Sequence, residues 1–318
     1  MNTGFWIGVR NKNRKLLCSL MTLIAVGFSV CTLGQVDDDV STLGQYRFQA
    51  KRFDDLSERN VSRQGDAALK LPTVNWEHGE SDHFIFHTES GFAVTQLVSV
   101  AEWSYSRIKK DLQITQDSFE RKCHIYVFLN QSVWHQFVST GKMEPWTGGW
   151  CTGRELFFAS RPHFKFQGAT LPHEMTHLVL HRFVGGDIPL WLNEGLAEFE
   201  GIRLYRNYLK TRGYTLTNVR DHVDAADFIP IKDLTSALDY PRDEKQVLAF
   251  YTESERLITL LYFQYGGTEN LMQFLKLQSQ GAQFDSAWHD VYGREHGEQR
   301  AFEDKFTAFV VKPKQSEQ

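Results

Sequence analysis

The stretch TLPHEMTHLVLHRFVGGDIPLWLNEGLAEFEG, residues 170–201, constrains the fold of this chain more than any other. It sets His173, Glu174 and His177 among Leu, Val, Met and Phe, and such groups are costly to bury without partners. Pro172 is tolerated in the first turn of a helix, and Thr170 before it is a candidate cap. Along a helix, residues four apart differ by about 40° in direction and about 6 Å in height. The two imidazoles therefore converge on one point. The glycines of VGGD then turn the chain back, and Asp187 with Pro189 marks the start of a second helix carrying Asn193, Glu194, Gly195 and Glu198. A short helical hairpin packs its two helices antiparallel, so residues early in the second face the histidines.

Two convergent imidazoles suit a tetrahedral Zn²⁺, which takes nitrogens at about 2.0–2.1 Å. Glu194, with sixteen residues between it and His177, fits as a third ligand through oxygen. Glu198, one turn later, is placed to accept the N–H of a ligand histidine and so set its tautomer. Three ligands leave a fourth position for water, the arrangement of catalytic rather than structural zinc. Glu174, beside the first histidine, is placed to take that water's proton. The expectation is one Zn²⁺ per chain, held by His173, His177 and Glu194.

At the N-terminus, Arg10, Lys12, Arg14 and Lys15 precede the apolar run Leu16–Leu33, with small residues near Gly34. This is the pattern of a secretory signal over residues 1–34, cleaved after Gly34. The run also approaches the length of an uncleaved membrane anchor. Either way the protein is expected to be exported, to the periplasm or the extracellular space, and to meet a membrane only through that segment. A formal net charge of −4 gives no electrostatic case for nucleic acid. Outside the signal only Cys123 and Cys151 remain, one candidate disulfide in an oxidising compartment or two buried thiols.

Residues 35–70 are polar and charge-rich and read as an irregular lead-in; 71–312 read as the folded domain, and 313–318 as a tail. DHFIFHTE reads as a strand, and 94–113 as a helix with apolar residues at three- and four-residue steps. A strand at 123–130, a helix at 132–139, a Gly/Trp-rich turn at PWTGGWCTG and a strand at 155–160 follow. From 170 onward the chain reads helical. The order predicts an α+β fold, with an N-terminal mixed sheet and helices followed by a mainly helical part that carries the histidine helix. His83 and His87 share a strand face expected to meet solvent, and Glu200 reads as a solvated helix residue. His181 lies about 12 Å along the helix from His173, too far to share its ion. Trp146 and Trp150 are candidates for lining a cleft. Gly195 implies a close approach of its helix to the histidine helix.

HEMTH followed by PLWLNEGLAE resembles the gluzincin metallopeptidases, whose pattern is H-E-x-x-H with a later Asn-Glu pair. The likeness is nearest to the bacterial peptidase-MA-like group. It implies hydrolysis of peptide bonds in a peptide or protein substrate, with His173, His177 and Glu194 on zinc and Glu174 as general base. It also implies a tyrosine facing the metal at the start of a later helix, in AFYTESERLITLLYFQYGG, where Tyr251 stands. That residue is either an oxyanion donor or a core tyrosine. The Gly-Ala-Met-Glu-Asn motif of the zinc aminopeptidases is absent, and GGWCTGREL occupies the corresponding region. The alternative to an enzyme is a secreted binding or scaffold protein that keeps the zinc without turnover.

Overall fold

The structure, a computed structural model, describes residues 8–11, 43, 46–116, 121–140, 148–159, 168–217, 219–294 and 299–312. Short strand β1 (Gly8–Asn11) pairs antiparallel with β8 (Tyr214–Thr217). Most of the expected export signal, including the apolar run Leu16–Leu33, lies outside the described residues, as do Trp146 and the tail. β1 falls within that signal, so cleavage after Gly34 would remove the partner of β8. Among the described residues no helix is long and apolar enough to cross a membrane.

The fold is α+β. Its six-stranded mixed sheet contains β2 (Gln49–Lys51), β3 (Glu77–Glu80), β4 (Phe84–Thr88), β5 (Cys123–Phe128), β6 (Gly149–Cys151) and β7 (Glu155–Ala159), in the order β2-β3-β4-β5-β7-β6. β4, β5 and β7 run parallel, and the outer strands are antiparallel to their neighbours. Parallel neighbours need a crossover, supplied by α2 (Gly91–Asp111) between β4 and β5 and by α3 (Gln131–Thr140) after β5. Every residue of β4, β5 and β7 is buried, as befits strands covered on both faces. Phe86, Ile125 and Phe158 face the larger core, whereas Tyr126, Phe128 and Phe157 pack with Trp134 and Phe137 of α3.

Several expectations need correction. The segment 35–70 is not irregular throughout: it supplies β2 and α1 (Arg63–Leu69), whose N-cap Ser62 is held by the buried carboxylate of Glu155. The Gly/Trp-rich turn contains an edge strand, β6. Trp150 on it stacks on Phe157 at 5.3 Å, inside the aromatic cluster of the α3 face. Cys123 and Cys151 are free thiols. β7 stands between their strands, and strands two apart are separated by about 9.6 Å, more than a disulfide spans. Arg182 donates to Cys123 Sγ instead, while burial pushes that thiol up to about 12.

His87 does not meet solvent. It is fully buried, with Nδ1 2.8 Å from His78 Nδ1 and Nε2 2.8 Å from His124 Nδ1. His83 is half-buried against Glu102 of α2, with Nδ1 2.6 Å from its Oε2. Burial holds His87 well below its ordinary pKa, lowers His78, and takes His124 to about 4, against the opposing charges of Glu58 and Glu80. An unfolded histidine titrates near 6.5, so the unfolded chain takes up more protons as pH falls below that value. Stability should therefore drop between about pH 6.5 and pH 4, by up to about 1.4 kcal/mol per pH unit for each such histidine. In denaturant titrations His124→Phe, which keeps a ring but cannot charge, should show a shallower drop. Equal slopes in the two proteins would exclude His124 as a cause.

After the sheet come α4 (Thr170–Val179), α5 (Leu190–Thr211), α6 (Ile231–Ser236), α7 (Glu244–Gln264), α8 (Gly267–Ser279), α9 (Phe284–Trp288) and α10 (Gln299–Val310). β8 is the exception to the helical reading. α5 lies between α4 and α7, and two glycines set its distances. A Cβ on Gly195 would come 2.6 Å from Ser254 O of α7, so this glycine admits α7, not the histidine helix. Gly201 does that: its Cβ would lie 2.9 Å from Ala169 O and 3.3 Å from His173 Cβ. Glu200 is buried rather than solvated. It pairs with Arg203, which also reaches Asp111 of α2, and desolvation raises its pKa to about 7.

Candidate metal centre

α4 starts at Thr170, with Ala169 in the cap position and no side-chain cap, so Thr170 is the first helical residue and not the cap. Pro172 sits in the first turn. The helix runs on through a π-helical turn, Leu180–Val184, and ends at Gly185, whose φ is 64°. Left-handed backbone of this kind suits glycine. Pro189 then precedes α5, which returns along α4 and presents Glu194 to the histidines.

The three side chains meet. His173 Nε2 lies 3.1 Å from His177 Nε2, and Glu194 Oε2 lies 3.5 Å from the first and 3.6 Å from the second. Ligand atoms about 2.0–2.1 Å from a tetrahedral Zn²⁺ are separated by about 3.3–3.4 Å. The triangle has those dimensions. Among the described residues it is the one group of three His, Cys, Asp or Glu side chains whose ligand atoms lie together in this way.

The outward nitrogens are occupied. His173 Nδ1 lies 3.3 Å from Glu198 Oε1, and His177 Nδ1 lies 3.1 Å from Asn193 Oδ1. Both partners accept, so each imidazole donates through Nδ1–H and turns an Nε2 lone pair inward. Three electron-rich atoms then face one another, and Glu194 Oε2 is buried without a hydrogen-bond partner. Such an arrangement demands a cation. The electrostatics agree: although burial opposes it, Glu194 and Glu198 hold His173 well above its ordinary pKa, and Glu194 also raises His177. Burial acts against ionised Glu194 too, but the two histidines bring its pKa down. The carboxylates thus favour positive charge at the place that a metal ion fits, and the donor set of two imidazoles and a carboxylate suits zinc.

Glu174 is 8% exposed. Burial raises its pKa, opposed by His173 and His177, which moves a carboxylate toward the range of a general base at neutral pH. Its side chain adjoins edge strand β6. A Cβ on Gly149 would stand 2.9 Å from Glu174 Cγ and 3.0 Å from Oε1, so a larger residue there would crowd the carboxylate.

Tyr251, in the second turn of α7, comes to the centre through an intermediary that sequence reasoning missed. Tyr240, on the loop between α6 and α7, donates its hydroxyl to Glu194 Oε1 at 2.6 Å. Its ring stacks on that of Tyr251 at 5.9 Å. No local signal marks Tyr240, which is 46 residues from Glu194. Asn193 was visible as half of the Asn-Glu pair, without a role. His181 is exposed on the π-helical turn.

A family model for the peptidase MA superfamily matches residues 115–312. No curated protein matches the sequence. Among solved structures, the chain is similar to native yeast LTA4 hydrolase at 13% identity and a TM-score of 0.39, over 77% of this chain and 40% of that one. The chain thus spans less than half the length of that protein.

Proposed function

The chain belongs to the peptidase MA superfamily, and on that footing we propose that it is an exported zinc metallopeptidase. The observation that carries this reading is the triangle of His173 Nε2, His177 Nε2 and Glu194 Oε2, with the carboxylate oxygen buried and without a hydrogen bond. Those three residues would hold one Zn²⁺, and Glu198 and Asn193 would hold the imidazoles in the tautomer that binds it. Zinc, when bound, acidifies a water and polarises the carbonyl of a peptide bond.

The chain's own residues supply the rest. Glu174 takes the proton of the attacking water and returns it to the leaving amine. β6, the edge of the sheet, passes Glu174 at Gly149, and among the described residues no strand pairs with its outer side. An extended peptide added there would lie along the carboxylate, held by main-chain hydrogen bonds that do not depend on its sequence. Export rests on the basic and apolar N-terminal segment. Accordingly, protein collected from the extracytoplasmic fraction should begin near Gln35 and contain one zinc per chain. It should also cleave an unstructured protein such as casein, and lose that activity to a chelator. Protein that takes up no zinc would sink the reading. Zinc binding without cleavage of any peptide tried would leave the secreted binding or scaffold protein.

A further inference from the structure

We propose that Tyr240 is a positioning residue for the metal centre: its hydroxyl locks the Glu194 carboxylate with one oxygen turned toward the histidines. This rests on the reading of His173, His177 and Glu194 as zinc ligands. Glu194 has two oxygens in different surroundings. Oε1 accepts from Tyr240 at 2.6 Å, and Oε2 lies 3.5 and 3.6 Å from the two Nε2 atoms with no hydrogen bond of its own. A carboxylate can rotate and offer both oxygens to a cation. A short bond to a carboxylate is strong, and here it holds Oε1 out of the triangle, so that one oxygen binds and the fourth position stays open.

Core packing does not explain this placement. Tyr240 is 41% exposed, and Leu238, two residues earlier on the same loop, is 99% exposed. Its ring rests on Phe250 and Tyr251 of α7, contacts that phenylalanine would keep. The hydroxyl is what reaches the buried carboxylate.

The test compares the parent with Tyr240→Phe and Tyr251→Phe after stripping each protein and reloading it with zinc or cobalt(II). Losing the partner of a ligand typically weakens metal binding about 10–100-fold. Tyr240→Phe should show that loss in competition with a chelator, together with an altered visible spectrum of the cobalt form. It should also gain less in melting temperature from zinc than the parent does. A merely structural tyrosine would lower the melting temperature of the metal-free and loaded forms alike. Tyr251→Phe leaves the bond to Glu194 in place and should shift zinc affinity less. A Tyr240→Phe protein with parental affinity and parental cobalt spectrum overturns the role of Tyr240 and leaves the zinc site standing. A parent that binds neither metal overturns both.

Discussion

Glutamine in place of Glu174 should leave one zinc per chain and an unchanged melting temperature, while peptide hydrolysis falls by about 10²–10⁴-fold, the usual contribution of a positioned base. The side chain is buried beside Gly149 and touches no ligand of the triangle by a hydrogen bond that would be lost. Glutamine fills the same space, so neither the fit of α4 against β6 nor the ligand positions should change. What disappears is the oxygen that accepts a proton. Burial already lifts the Glu174 carboxyl toward neutrality, and an amide cannot titrate at all. Metal content and kcat/KM measured on one preparation separate the two effects. A Glu174→Gln protein as active as the parent would mean that another group is the base.

His177→Ala should fail differently, losing metal and activity together. The substitution removes one corner of the triangle and leaves Asn193 Oδ1 without the N–H it accepts. Two ligands remain for an ion that takes three from the protein in open sites. Zinc bound to the folded state alone stabilises it by about 4 kcal/mol at a thousandfold excess over Kd, so the rise in Tm on adding zinc to the parent should vanish in the variant. Elemental analysis beside a melting curve with and without zinc decides it. Stoichiometric zinc in purified His177→Ala protein would refute the assignment of the ligands.

Much of this centre could be read along the chain because its parts are local. The four-residue step from His173 to His177 follows from the pitch of one helix, and the glycine turn into a second helix lies within the same thirty-odd residues. The strands of the sheet were legible for a similar reason. DHFIFHTE and CHIYVFLN are runs of apolar and aromatic residues bounded by polar ones, and both became buried parallel strands. The edge strand β6 was not legible, since Gly149 and its neighbours have the composition of a turn. Its pairing comes from Phe157 and Phe158 on β7.

What the sequence by itself determined is chemistry set by short spacing: the histidine pair, the acid beside it, the Asn-Glu pair on the next helix, and strands before helices. Only the tertiary structure decided which element each face meets. His87 and Glu200 have the side chains of surface residues, yet one is enclosed by β3 and β5 and the other is drawn under α2 by Arg203 and Asp111. Gly195 opens onto α7 while Gly201 opens onto the histidines, although both belong to one helix. Cys123 and Cys151 are kept apart by a strand that follows both in sequence. Tyr240 reaches Glu194 across 46 residues because α7 packs on α5 and carries the loop before it over the carboxylate. Periodicity tells a segment which of its sides is apolar. The partner of that side is chosen by close packing among segments distant in the chain, and no local pattern encodes it.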